Sequence, residues 1–391
     1  MLAALSPAWR RRQGTASALA AAAASTYIHH LRRDRPRRQS LSTYTSNYST
    51  TWCISRRYSS VVGDGEKAKV KPLQTPRTTS AEEAAAEMIK GKAMTQTQTQ
   101  TLDVNQLWKL GVTLAPALGG KVKRPDLGTE VPPGHHLVYF TPSDAESSLG
   151  ADGSDVGFNA PFPFTRRMWA GGRMRWLDDV VLRVGDEVQE RTRLVSAVPK
   201  RSGRDGTKMV LVSVEKEFWM PRGLALVDER SWIFRPEAAG ASPAAERALR
   251  DSVISGPSTM EDIPQDGAGY PKRRLRWSPT GLFRFSALTF NGHKIHYDPT
   301  WSTSVEGHPA CVVHGPLNLI NMLDYWRDHC SGSGKGKVKE ISYRAIAPIY
   351  AGEVYDISAR AVQRGEGPPK RWEVLVQKGG ETCMRGEIVG A

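Results

Sequence analysis

The feature that most constrains this chain is a rhythm near the end of each half, where strand-length runs are broken by Gly, Pro and Asp. Residues 179–184, 188–198, 209–214 and 224–234 make the first set, and residues 341–349, 353–364, 370–377 and 382–389 make the second. Runs of that length bounded by turn residues predict antiparallel strands. The sets also open alike, with Val184-Gly185-Asp186-Glu187-Val188 beside Tyr350-Ala351-Gly352-Glu353-Val354. A shared rhythm in both halves predicts a duplicated fold. Upstream, Arg167-Met168-Trp169-Ala170-Gly171-Gly172 is expected to take the place that Val312-Val313-His314-Gly315-Pro316 holds in the second half. The spacing to the echo is longer in the second half, which leaves room for an extra helix over residues 316–329.

Charge bears on partners. The net charge of +14 over 391 residues would suit a polyanion, but its distribution argues against one. Residues 1–60 hold ten arginines, no lysine and the single acid Asp34, in a background of Ser, Thr and Ala. That is the composition of an organelle transit peptide. Without it, 44 of the 54 basic and 39 of the 40 acidic residues remain, a net +5. Arg56-Arg57-Tyr58-Ser59-Ser60 resembles a mitochondrial processing site, so residues 1–58 are expected as the leader and the matrix as the destination. No nucleic-acid partner is expected. No run approaches the ~18 apolar residues of a membrane span. Three widely spaced cysteines beyond the leader make neither a disulfide framework nor a metal knuckle.

Residues 59–101, ending in Thr95-Gln96-Thr97-Gln98-Thr99-Gln100-Thr101, read as a disordered linker. Leu107, Trp108, Leu110, Leu114 and Leu118 predict a helix stopped by Gly119-Gly120. The first domain is then residues 102–235, and residues 236–270, rich in Ala, Pro and Ser, form a connection. The last domain is residues 271–391.

The densest polar information runs from Phe285 through Asn291-Gly292-His293-Lys294-Ile295-His296-Tyr297-Asp298, followed by Cys311-Val312-Val313-His314-Gly315-Pro316. An amide and an imidazole stand close on an irregular turn. Asp298-Pro299 has the pattern of a helix cap followed by a first-turn proline. Gly315 opens a helix, where unpaired N–H groups can hold a developing oxyanion. A base and an oxyanion donor are the minimum for chemistry beside a carbonyl. His293, His296, His308, Cys311 and His314 could also be read as a zinc cluster, but they form no characteristic ligand motif, so no metal is expected.

These segments resemble the MaoC-like hydratase/dehydratase group, and the resemblance runs over roughly residues 130–391. It implies an α+β double hot dog, in which a long helix is wrapped by an antiparallel sheet and the unit is duplicated. The N-terminal copy is degenerate and the C-terminal copy catalytic. The family pattern pairs an aspartate with a histidine five residues later. His296 matches the histidine, Asn291 stands at the aspartate, and Gly315 matches the glycine whose N–H holds the thioester oxygen. The implied catalytic set is therefore His296, Asn291 and Gly315, with His314, Arg167 and Trp169 near the substrate and Asp298 as a structural cap.

The implied activity is (3R)-3-hydroxyacyl thioester dehydration in mitochondrial type II fatty acid synthesis, without a cofactor. The substrate would be carried by acyl carrier protein or CoA, and a homodimer is compatible with the pattern. The alternatives are a mesaconyl- or itaconyl-CoA-type hydratase and, because of Asn291, a non-catalytic acyl-thioester-binding protein. Leu288, Phe290, Val312, Val313 and Leu317 surround the motif, and Lys294 is the cation within it. An apolar tunnel is therefore expected.

Overall fold

The computed structural model describes residues 79–90, 95–115, 122–177, 180–203, 205–237, 256–265, 269–332, 336–362 and 370–391. The expected leader, its processing site and the Gly119-Gly120 helix stop lie outside them. Eleven strands form one antiparallel sheet: β1 (Thr95–Thr101), β2 (Arg166–Trp176), β3 (Glu187–Arg201), β4 (Lys208–Met220), β5 (Gly223–Arg235), β6 (Thr259–Ile263), β7 (Lys272–Arg276), β8 (Val338–Ala345), β9 (Val354–Ala361), β10 (Arg371–Lys378) and β11 (Glu381–Gly390). Their order is β1-β3-β4-β5-β2-β8-β11-β10-β9-β7-β6. Read outward from the centre, the first half runs β2-β5-β4-β3-β1 and the second β8-β11-β10-β9-β7, the same connectivity twice. β6 is an added edge.

Among the described residues, four helices accompany the sheet: α1 (Ala81–Lys90), α2 (Val104–Leu114), α3 (Pro279–Leu288) and α4 (Gly315–His329). None is long and apolar enough to cross a membrane. α2 follows β1 as α3 follows β7, and the two pack on each other. The Gln106 amide bridges them by donating to the carbonyls of Leu288 at 2.6 Å and Val138 at 2.8 Å. α4 is buried on nearly every side, with Leu317, Leu319, Ile320 and Met322 at 0 % exposure. Every residue from Leu317 to Trp326 is buried, Asn318, Asn321 and Asp324 included, and this helix is the axis that the second sheet wraps. Among the described residues, the first half has only the 3-10 turns His135–Val138 and Glu146–Ser148 in the corresponding connection. This is a double hot dog with one full helix.

The halves join where β2 lies against β8, pairing Gly172 with Tyr343 and Met174 with Ile341. Gly171, at φ 156, makes that join possible, and Gly172 lets β2 lie between the β5 backbone on one side and the Tyr343 side chain of β8 on the other. A Cβ on Gly171 would stand 2.4 Å from the Tyr343 oxygen, and one on Gly172 would stand 2.1 Å from the Glu229 oxygen. Both distances are far inside van der Waals contact.

Four expectations need correction. Residues 81–90 and 95–101 are not a linker. Ala81, Ala84, Ala85 and Met88 give α1 an apolar stripe that packs on Leu194, Val210 and Val212. The Thr-Gln repeat is the edge strand β1, paired with β3 from Thr95↔Arg193 to Thr101↔Glu187. Its glutamines replace apolar anchors with hydrogen bonds, Gln98 donating to the Thr141 carbonyl and Gln100 accepting from the Phe140 N–H. The stretch 236–270 is likewise not all connection, because β6 pairs with β7. Residues 180–184 form no strand, and Arg183 makes a single bridge to Glu130. Finally, residues 167–172 lie in β2, the counterpart of β8 rather than of Val312–Pro316. The Gly185 and Gly352 echoes do stand at equivalent points, just before β3 and β9.

Overpacking the join should destabilise the whole sheet. Gly172→Ala is expected to lower the unfolding free energy by ~1–3 kcal/mol. Arg173→Ala, which removes only a largely exposed pair with Glu340, should cost under ~1 kcal/mol. Urea titration of both variants checks the contrast.

Candidate functional site

The site begins at the end of α3. Phe290 sits at φ 46, the left-handed conformation that usually closes a helix on glycine. The Asn291 N–H returns to the Ser286 carbonyl at 2.9 Å and stops the helix. Asn291 Oδ1 then accepts the His293 N–H at 3.1 Å, a local turn typical of asparagine. With Oδ1 engaged, the amide NH2 is the donor left to meet a ligand. The chain next makes the 3-10 turn Lys294–His296.

Two backbone links hold His296. The Val312 N–H donates to the Ile295 carbonyl at 2.8 Å, and His296 Nδ1 lies 2.8 Å from the Val312 carbonyl. A carbonyl only accepts, so Nδ1 carries the proton and Nε2 keeps its lone pair. His314, just before α4, stacks on His296 with ring centroids 3.7 Å apart and planes 18° apart. Its Nε2 is 2.9 Å from the Ser286 hydroxyl. Burial drives the pKa of His296 down to about 3, helped by the charge that a protonated His293 would bring. Burial, then Arg167, does the same to His293, also to about 3. His314 is pushed well below 6.5 by burial and by His296. All three are neutral imidazoles at physiological pH.

Gly315 opens α4, so its N–H has no carbonyl a turn earlier to meet. A Cβ there would lie 2.9 Å from Trp169 Cγ, so the indole from β2 closes over the helix start. Trp169 in turn stacks on Tyr343, centroids 6.2 Å apart, with the Arg230 guanidinium 5.6 Å from its ring. Arg167 makes a forked pair with Asp155 (2.7 and 3.2 Å) and lies over Trp232. Burial would raise the Asp155 carboxyl, but Arg167 outweighs it and holds the group below its ordinary range.

These residues meet in a cavity of about 710 Å³ that holds Asn291, His293, His296, His314 and Gly315 on one side and Arg167 and Trp169 on the other. Asp298 is elsewhere. Its Oδ1 accepts the Trp301 N–H at 3.0 Å and caps the short turn Trp301–Val305. Lys294 also stays off the cavity wall, its Nζ donating to the Ala151 carbonyl and lying 4.2 Å from the Trp301 ring centroid. Among the described residues, no group of three or more His, Cys, Asp or Glu could hold a metal ion.

The wall departs from the expected apolar tunnel. Leu137, Phe140, Val313 and Ile349 line part of it, but Arg167, Lys216, Arg230, Asp155 and Glu190 line the part supplied by the first half. Every one of those cations has a carboxylate: Arg167–Asp155, Lys216–Glu190 at 2.7 Å and Arg230–Asp228 through Nε at 2.9 Å. Sequence reasoning missed this network. Its signal was present, because Glu190 and Thr192 alternate on β3, as do Asp228 and Arg230 on β5. Period-two counting from Val188 or Leu226 turns them inward.

A family model described as hydroxyacyl-thioester dehydratase type 2 matches residues 134–351. The chain is 32 % identical over 240 residues to mesaconyl-C(4)-CoA hydratase of Chloroflexus aurantiacus, covering 61 % of this chain and 76 % of that one. It is 26 % identical over 244 residues to the mitochondrial hydroxyacyl-thioester dehydratase type 2 of Schizosaccharomyces pombe, covering 58 % and 76 %. The crystal structure of a MaoC-like dehydratase from Phytophthora capsici superposes with a TM-score of 0.53 at 14 % identity, covering 77 % of this chain and 98 % of that one, and shares the fold.

The depressed histidine pKa values fix a pH dependence of stability. His293 and His296 titrate near 3 when folded and near 6.5 when unfolded, so between those values the unfolded chain binds more protons. Stability therefore falls as pH drops below ~6.5, by about 1.4 kcal/mol per unit for each such histidine. Urea midpoints at pH 7.5, 6 and 5 should fall in that order. The wild type should lose more across the range than a His293→Gln variant.

Proposed function

The chain belongs to the hydroxyacyl-thioester dehydratase type 2 family and is a hydro-lyase of acyl thioesters; within that class we propose that it interconverts (3R)-3-hydroxyacyl and 2-enoyl thioesters, with His296 moving the proton. The observation that carries the assignment is a neutral imidazole, anchored through Nδ1 and with no partner at Nε2 among the described residues, in the same cavity as the first N–H of α4. In dehydration, His296 Nε2 takes the proton from C2. The electron pair moves toward the thioester oxygen, which the Gly315 N–H stabilises, an effect commonly worth ~3–4 kcal/mol. The C3–O bond then breaks, and the leaving hydroxide takes the proton from His296 to become water. Hydration runs the same steps in reverse. The Asn291 NH2 donates to the C3 oxygen and does not titrate.

His296→Ala is expected to lower crotonyl-CoA hydration by ~100-fold or more with an unchanged circular dichroism spectrum. Asn291→Ala should also slow it. Asn291→Asp keeps an oxygen acceptor for the His293 N–H and puts the acid of the family pattern in place of the NH2 donor, so it should stay active. Wild-type turnover in Asn291→Ala would remove Asn291 from the orienting role.

For the physiological setting we propose the mitochondrial matrix and type II fatty acid synthesis, with acyl carrier protein or CoA as the handle. The Arg-rich leader and the mitochondrial relative in S. pombe support this reading. A second reading, hydration of a dicarboxylic CoA ester, is favoured by the cations on the cavity wall and by the resemblance to mesaconyl-C(4)-CoA hydratase. A distal carboxylate needs a cation of its own, since an unpaired buried charge costs several kcal/mol. Arg167, Lys216 and Arg230 already have partners, which ranks the monocarboxylic substrate first. Hexenoyl-CoA is therefore expected to be hydrated ~10-fold faster than mesaconyl-CoA, a gap of ~1.4 kcal/mol. Initial rates on the two esters decide between the readings.

A further inference from the structure

The turn that carries His296 is held in place by a loop of the first half. The Lys294 N–H donates to the Asp152 carbonyl at 2.8 Å, and Lys294 Nζ donates to the Ala151 carbonyl at 2.8 Å. Between these contacts Gly153 and Gly292 meet backbone to backbone. A Cβ on Gly153 would fall 2.2 Å from the Gly292 oxygen, and one on Gly292 would fall 2.5 Å from the Gly153 oxygen. No other residue type allows that approach without movement of both loops.

The contact brings a carboxylate to the site from outside the motif. The Asp152 carboxylate accepts the Ser154 N–H at 2.9 Å and the Ser154 hydroxyl at 2.8 Å through Oδ1. Its Oδ2 stands 3.3 Å from His293 Nε2. His293 is 5 % exposed, and its Nε2 is enclosed without a well-angled hydrogen bond to any described residue. A lone pair on that nitrogen would face a negative charge, so the Asp152 contact favours the tautomer with the proton on Nε2. Nδ1 is then the acceptor, on a ring that lines the cavity 5.3 Å from that of His296.

We propose that His293 is a second catalytic residue, accepting a hydrogen bond from the water that is added or released, and that Asp152 is the positioning residue that sets its tautomer. The assignment rests on the hydro-lyase reading above. In hydration the water oxygen bonds to C3. One of its O–H bonds breaks, and that proton passes through His296 Nε2 to C2. The other O–H stays intact, donates to His293 Nδ1 throughout, and becomes the product hydroxyl. The oxygen is thus held between a donor, the Asn291 NH2, and an acceptor, the His293 ring. The pair restores the acceptor lost where the family pattern has an aspartate and this chain has Asn291.

The test is a double-mutant cycle in crotonyl-CoA hydration by the full mature protein. Asp152→Asn keeps an oxygen for Ser154 but loses the charge facing His293. It should lower kcat by ~10- to 100-fold with KM changed by less than ~2-fold. In a His293→Asn background the same substitution should cost less than ~2-fold, because the residue it acts through is gone. Wild-type kcat in Asp152→Asn, or an equal loss in both backgrounds as a merely structural role would produce, overturns the proposal alone. Absence of wild-type turnover overturns the hydro-lyase reading and this proposal with it.

Discussion

Everything in this molecule depends on the pairing of β2 with β8. The two central strands can lie together because Gly171 carries no Cβ where the backbone of Tyr343 passes, and Gly172 carries none between the Glu229 backbone of β5 and the Tyr343 hydroxyl of β8. That one join makes a five-stranded and a six-stranded half continuous and sets Trp169 against Gly315 at the start of α4. It also closes the cavity with residues from both halves, so neither half contains a complete site. Duplication supplies a wall that the second half could not build for itself.

The division of labour follows from what each half lost. The second half keeps a helix buried along its length, and that helix presents a free N–H at its first residue. Among the described residues, the first half has only short turns in the same connection, and its sheet interior holds the ion pairs of Glu190, Lys216, Asp228 and Arg230. Removing one partner of a buried pair strands the other charge, at a cost of ~3–5 kcal/mol. The network is therefore both a plug for the degenerate half and a polar boundary for the acyl group. On the opposite side the imidazoles are stripped of charge by burial, which suits proton transfer beside a carbonyl.

Much of this was legible in the residue order, and the failures have physical causes. β3, β4, β5 and the last four strands were visible because their apolar runs alternate between turn residues. His296 and Gly315 were visible because local backbone rules place an imidazole on a turn and a glycine at a helix start. β1 was missed because its threonines and glutamines carry no hydrophobic signal, their anchoring being by side-chain amides. β2 was misread because its Gly171-Gly172 was matched with the stretch around Gly315, whereas its glycines serve close strand packing. Asp152 could not be found by spacing, since it reaches His293 only through a contact between loops 139 positions apart in the chain, Gly153 against Gly292.

The central claim is that the Val312 carbonyl holds His296 as a neutral base with its lone pair on Nε2. Nitrogen-15 NMR of histidine-labelled protein at pH 6, assigned by loss of signal in His296→Gln, tests it most directly. The account predicts a neutral ring with the proton on Nδ1 and an unprotonated Nε2, at a pH where a free histidine is largely charged. A charged His296 ring, or a proton on Nε2, would contradict it.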